Sequence, residues 1–443
     1  MGNSISKDFN LFSLARFALP SVVMMVFTSL YTMVDGVFVS RVLGTTALSA
    51  VNLFYPLFNV VIATGIMLGT GGSAVIARKI GKGRTDEAKS DFSLIVLAGV
   101  IFGVVIAALS LGLMETVLRF LGAEGDMLPL CREYTTVFMF FAPLCMLQLI
   151  FQYLFVTAGK PGLGLAMSIA GGLTNMVLDY LFLVHFPMGM AGAALASGIG
   201  IAVPALFGLG YFCLYRRGYL HLARPRWKPR VLVESCYNGS SEMVGNVALA
   251  VVTLMYNVTM MNLLGEDGVA AITIVLYVHF VLCAVFAGFS MGVAPVISYN
   301  HGSGNSARSK RVFRHSMAII ALTSLVSYFG SARGSGALIK VFVPENSPVY
   351  DIAAQGFGLF SVSFLFVGVN IFASAMFTAL SDGKVSAIIS FMRTFVFISA
   401  GLTVLPGLFN VKGVWMSITV SELLSLLLSA AFLFRLRKKY RYG

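Results

Sequence analysis

Asp35 stands in "SVVMMVFTSLYTMVDGVFV" and Asp179 in "GLTNMVLDYLFLV", two stretches otherwise apolar enough to lie in lipid. Asn175 precedes Asp179 by one helical turn, so on a helix the two side chains point the same way. In the earlier stretch Ser21, Thr28, Tyr31 or Thr32, and Asp35 recur at three- and four-residue steps and make one polar stripe. Carboxylate and amide oxygens are hard ligands suited to a small cation, and two carboxylates held together readily share a proton. An acid at the centre of a membrane helix costs about 2.5–3.5 kcal/mol, so such residues call for a use or a partner. The chemistry they offer is ion or proton exchange inside a membrane. Three more ionisable residues fall within apolar stretches: Glu242 in "GSSEMVG", Arg393 and Glu422. Arg393 and Glu422 are expected to pair with each other, and Glu242 is a secondary candidate for the same chemistry as the aspartates.

The elements that must carry these residues follow from composition. Of 443 residues 58% are hydrophobic and 11% charged, with mean hydropathy +0.88. A soluble chain could not hide that much apolar surface, so an all-α membrane protein is expected. A spanning helix takes about 20 mostly apolar residues. Twelve windows qualify, near 14–39, 47–77, 92–114, 134–158, 163–184, 190–215, 236–262, 268–298, 314–338, 350–378, 385–405 and 412–434. The first of them reads as a span and not as a cleavable leader. Five scattered cysteines form no CxxC pair, and neither a disulfide framework nor a metal cluster is expected.

The net charge of +13 raises the question of nucleic acid, and its distribution answers it. With both termini placed in the cytoplasm, 24 of the 31 Lys and Arg residues fall on cytoplasmic segments, Arg217 among them, and six on the other side. That bias orients a multi-pass membrane protein, expected in the plasma (inner) membrane, with lipid and not nucleic acid as its surroundings.

The two halves of the chain resemble each other at a constant offset of 221 residues. Gly44 lies over Gly265, Gly83 over Gly304, Phe92 over Phe313 and Gly192 over Gly413. One offset held across the chain implies two pseudo-symmetric six-helix lobes in parallel repeat. The expected boundaries are residues 1–215 for the N-lobe, 216–235 for a basic linker and 236–443 for the C-lobe. Pro225 and Pro229 break the linker "YRRGYLHLARPRWKPR". Two lobes that rock about a central cavity would give alternating access.

The stretches "LYTMVDGVFVSRVLGTTALSAVNLFYPL", "TAGKPGLGL" and "TNMVLDY", with the twelve spans and the repeat, resemble the multidrug and toxic compound extrusion (MATE) family over essentially the whole chain. The resemblance is closest to the bacterial and archaeal branch with a cation site in the amino-terminal lobe. It implies a secondary antiporter that exports cationic or amphipathic drugs in exchange for H+ or Na+, with no other cofactor and no ATP, acting as a monomer. Carried over by position, it implies a coupling site of Asp35, Asn175, Asp179 and Ser197, with an amide from Gln152 and a bending proline at Pro20. Met24, Met25, Thr28 and Tyr31 are candidate cavity residues, since methionine-rich surfaces repack around varied ligands. Another branch uses a Glu on span seven, which Glu242 matches, and an Asp on span ten, where this chain has Asn370.

A lipid-linked precursor flippase of related architecture is the nearest rival. It should show several cationic residues gripping pyrophosphate, whereas Arg393 is the one that falls well inside a span. Enzyme chemistry is not expected: the five histidines form no HExxH pattern, and no GxxxxGK[ST] phosphate loop occurs.

Overall fold

The computed structural model describes residues 4–125, 127–216 and 218–442, and Arg217 lies outside them. Fifteen α-helices make up the described chain, with no strand among the described residues. In the first half they are α1 (Leu11–Leu43), α2 (Thr45–Gly81), α3 (Thr85–Gly112), α4 (Met114–Phe120), α5 (Met127–Met139), α6 (Ala142–Thr157), α7 (Pro161–Asp179) and α8 (Gly189–Leu214). The second half holds α9 (Pro229–Ser303), α10 (Ser306–Lys340), α11 (Pro348–Ser361), α12 (Phe364–Ala379), α13 (Gly383–Phe391), α14 (Ile398–Phe409) and α15 (Val411–Tyr440).

Among the described residues nine helical stretches are long and apolar enough to cross a membrane. The pairs α5–α6 and α11–α12 each act as one broken span, bent by 57° and 56°. Helix α9 is two spans in one run, reversed at Gly265, where φ is +66°. Twelve spans result, at the places where hydropathy puts them.

The repeat is written in the backbone as well as in the sequence. Gly44 and Gly265, 221 residues apart, are both left-handed (φ +90° and +66°) and both end a first span. Gly83 and Gly304 repeat the conformation at the next turn, with φ +76° and +69°. Only residues without a Cβ adopt such angles freely, so these glycines fix where the chain reverses. Helix starts are set locally. Asn305 Oδ1 accepts from the Arg308 amide at 3.0 Å at the head of α10. Pro161 opens α7 at the position where a missing amide proton costs nothing.

The chain divides into two compact units. The first holds residues 1–7 and 23–239, and the second holds 8–22 and 240–443. The start of α1 therefore packs within the second unit, and the start of α9 within the first. Glycine makes both packings possible. In the first unit a Cβ on Gly71 of α2 would lie 1.9 Å from the Ser235 carbonyl oxygen, and one on Gly239 would lie 2.0 Å from that of Met67. In the second unit the repeat positions Gly288 and Gly292 of α9 press on Val22 and Ala18 of α1. Pro20 lies inside α1, between those two contacts.

Candidate functional site

In the first unit, α7 is pinned between two neighbours by adjacent glycines. A Cβ on Gly171 would stand 2.6 Å from the Gly200 carbonyl oxygen, so α8 closes against α7 there. One on Gly172 would stand 2.7 Å from the Phe27 ring, so α1 closes from another side. Small residues are what allow helices to approach this closely. Asn175, one turn further on, is thereby held between α1 and α8. Its Nδ2 donates to Asp35 Oδ1 of α1 and to Ser197 Oγ of α8, both at 3.5 Å. Such long bonds orient the amide more than they hold it.

Asp179 is 1% exposed and Asn175 2%. Asp35 is half-buried, and its carboxylate interacts directly with that of Asp179. Neither carboxylate oxygen of Asp179, nor the Asn175 carbonyl oxygen, has a hydrogen-bond partner among the described residues. These are three buried acceptor oxygens without a hydrogen bond of ordinary length and angle. Unpaired buried oxygens are costly, and a proton or small cation is the species whose charge would offset that cost. Directly after Asp179 the helix loosens into a π turn, Tyr180–His185. Such turns recur at functional sites because they release backbone groups from the regular ladder.

Sequence reasoning named Asp35, Asn175, Asp179 and Ser197, and the structure brings these four together. Gln152 of α6 is buried and donates to Ser168 of α7 at 3.4 Å. Ser168 lies two turns, or about 10 Å of helix, before Asn175, so Gln152 stands on the same face of α7 but away from the acids. Two residues went unnamed as neighbours of the acids: Tyr134 of α5 and, as more than a lining residue, Tyr31 of α1 both interact electrostatically with Asp35 and Asp179. Tyr134 sits in an aromatic cluster with Phe54 and Phe138, which hides it from any charge-based reading. Met24 is fully buried, with its sulfur facing Gly164 of α7, whereas Met25, Thr28 and Tyr31 are half-buried. Two hydroxyls of the α1 stripe turn back on their own helix, Thr28 to the Met24 carbonyl and Thr32 to that of Thr28.

One more buried charge stands just before the third apolar window. Asp91 of α3 is fully buried and paired with Lys79 at the close of α2, with Glu87 of α3 also near that lysine. The basic linker is tied beside it: the Ala223 and Arg226 amides donate to Ser93 and Ser90 of α3, at 2.8 and 3.1 Å. The spacing of Lys79 and Asp91 across a turn was the only available signal.

The second unit carries the remaining acids. Arg393 and Glu422 pair as expected, Nε reaching the two carboxylate oxygens at 2.9 and 3.1 Å. Asn370 of α12 donates to Glu422 Oε2 at 2.7 Å. Glu242 is half-buried in α9, on the side of the unit that Arg393 faces. His279 and Cys283, one turn apart on α9, contact each other at 3.3 Å.

Comparison with known proteins agrees with this architecture. A model of the MatE family matches residues 20–181 and again 243–403, one match per repeat. The multidrug export protein MepA of Staphylococcus saprophyticus is 24% identical over 429 residues, covering 96% of this chain and 93% of that protein. Its namesake from Staphylococcus aureus is 23% identical, covering 96% and 94%. Among solved structures, a MATE protein in a straight conformation superposes with TM-score 0.93 at 20% identity, over 100% of this chain and 99% of that one. A MOP superfamily transporter from Pyrococcus furiosus superposes with TM-score 0.89 at 22% identity, over 100% and 98%. At such identities the structural likeness speaks for the fold.

Proposed function

The chain belongs to the MatE family, and from that premise we propose that it is a multidrug exporter driven by cation or proton antiport through the acid pair of its first unit. Full-length relatives named for multidrug export support the transport activity. The single observation that carries the coupling reading is the convergence of Asp35, Asn175 and Asp179, with three unpartnered oxygens, in the interior of one six-helix repeat.

On this reading H+ or Na+ enters from outside and settles among the Asp35, Asn175 and Asp179 oxygens, with Ser197 holding the amide. Neutralising the pair removes the penalty on two adjacent buried anions and favours one packing of α1 against α7. Pro20 gives α1 a place to bend, because a proline leaves one helix carbonyl without its donor. Drug and ion drive each other only if they favour different states of the protein. One charge moved inward through 100 mV supplies about 2.3 kcal/mol, which sets the scale of drug accumulation per ion. Met25, Thr28 and Tyr31 would meet the drug, whose cationic or amphipathic character suits a pocket bearing acids. The protein would sit in the plasma (inner) membrane as a monomer with both termini cytoplasmic, needing no ATP or other cofactor. Arg393, the cation a flippase would need for pyrophosphate, is already engaged by Glu422.

The test is efflux of a cationic dye from proteoliposomes with Na+ and pH gradients imposed separately. One gradient should drive efflux in the native protein, and Asp35→Asn and Asp179→Asn should each uncouple it. Native efflux in both variants would end the coupling proposal.

A further inference from the structure

The second unit also contains an acid and an amide, at positions the repeat does not match to Asp179 and Asn175, and in place of a second acid it has an arginine. Glu422, 3% exposed on α15, is its acid, and Asn370 of α12 is its amide. The amide donates both to Glu422 Oε2 at 2.7 Å and to the Glu422 carbonyl at 2.9 Å. The arginine is Arg393, whose Nε donates to Oε1 and Oε2 at 2.9 and 3.1 Å. It sits in a π turn, Met392–Phe397, that interrupts the span formed by α13 and α14. Ser421 Oγ fixes the turn by donating to the Arg393 carbonyl at 3.3 Å. Both oxygens of Glu422 are therefore satisfied, whereas both oxygens of Asp179 are not.

At two positions the repeat shows what the second unit has in place of the first unit's residues. At the 221-residue offset Tyr256 stands where the first unit has Asp35, and Arg393 stands where it has Gly172. The glycine admits Phe27 of α1. At the matching position the arginine projects a guanidinium instead, and it meets Glu422. The charged and titratable groups that face this guanidinium are Glu422, Glu242, Cys283 and His279, and Tyr256 faces Glu422.

We propose that Arg393 is a tethered counter-ion that occupies the cation position of a second acid–amide site, so that Glu422 never exchanges with the coupling ion and the first unit alone sets the number of ions moved per drug. The inference rests on the coupling reading above, since it assumes that an acid–amide cluster without a counter-ion takes one from solution. A covalently held cation neutralises its acid in every state of the cycle. Such a pair contributes no driving force, and it keeps the second unit from demanding an ion of its own.

The experiment counts cations exchanged per dye in proteoliposomes, from the voltage at which dye flux stops under a fixed gradient of the driving ion. Arg393→Met should raise the count by one. Arg393→Gln, which keeps a donor for Glu422 and so protects the fold, should raise it equally. Arg393→Lys should restore the native count, as should Arg393→Met combined with Glu422→Gln. Arg393→Met combined with Glu242→Gln should keep the additional ion, which assigns it to Glu422. An unchanged count in a folded, transporting Arg393→Gln protein would overturn the proposal. So would loss of transport in the folded Arg393→Met/Glu422→Gln protein, because a passive neutral pair should be dispensable. Asp35→Asn in the native background tests the coupling reading by itself. If coupling survives there, that reading falls, while the count in the Arg393 variants still reports on Glu422.

Discussion

Two acid clusters lie in corresponding repeats of this chain, each a carboxylate and an amide embedded in apolar helices. In the first unit Asp179 has Asp35 beside it and no hydrogen bond of ordinary length and angle on either oxygen. In the second, Glu422 has Arg393 and Asn370 on its oxygens. The contrast shows that a buried acid acquires its meaning from its surroundings. An acid with its cation built in is architecture, and breaking it is expensive because the remaining charge has no solvent to turn to. An acid crowded by another acid is unstable until something arrives, and that instability can be linked to a conformational change.

The sharpest way to break this comparison is to remove one acid from each cluster and compare stabilities. Glu422→Gln should destabilise the detergent-solubilised protein by about 3–5 kcal/mol, by taking from the half-buried Arg393 the carboxylate it bonds. Asp179→Asn should leave thermal stability unchanged or raised, since it removes a buried carboxyl crowded by a second one. Equal losses in thermal melts would erase the distinction between the two sites.

Packing offers a second contrast, at positions that the repeat makes equivalent. Gly71→Ala would drive a Cβ to 1.9 Å from a backbone oxygen, whereas Gly292→Ala would bring one to 2.9 Å from Ala18. The first should cost about 1–3 kcal/mol, as overpacking does, and the second distinctly less. Melting both proteins side by side tests whether the tighter crossing belongs to the first unit.

Transport itself sharpens the comparison further. Asp179→Asn should cut ion-driven dye efflux at least about tenfold, which corresponds to about 1.4 kcal/mol. The smallest effect is expected at Glu242, the acid that faces Arg393: Glu242→Gln should lower efflux only about twofold on the same scale. Vesicle efflux rates measure both. Abolition by Glu242→Gln with survival of the Asp179 variant would place the working acid in the other unit.

Much of this organisation was already legible. Hydropathy located twelve spans because lipid forces each to hide its backbone in helix. The 221-residue offset was legible because duplicated reversals kept the same left-handed glycines, Gly44 with Gly265 and Gly83 with Gly304. Asp35, Asn175 and Asp179 were legible because a carboxylate in an apolar helix violates the local pattern. Tyr134 was not legible, since an aromatic in a membrane helix violates nothing. Asp91 was not either, because its position at the edge of an apolar run looks solvated until Lys79 folds over it. Asn370 read as a missing acid, and the fold shows it instead as a donor to Glu422.

The sequence by itself determined the class of the protein, the number and places of its spans, its twofold repetition and which acids stand in apolar helices. Those follow from one-dimensional constraints: transfer energies add along a helix, and glycine marks where the chain reverses. Tertiary structure alone decided which acids are spent and which are free. Gly171 and Gly172 let two helices close on Asn175, and a π turn brings Arg393 to Glu422. Electrostatic pairing depends on distances across helices, and those exist only once the helices have packed.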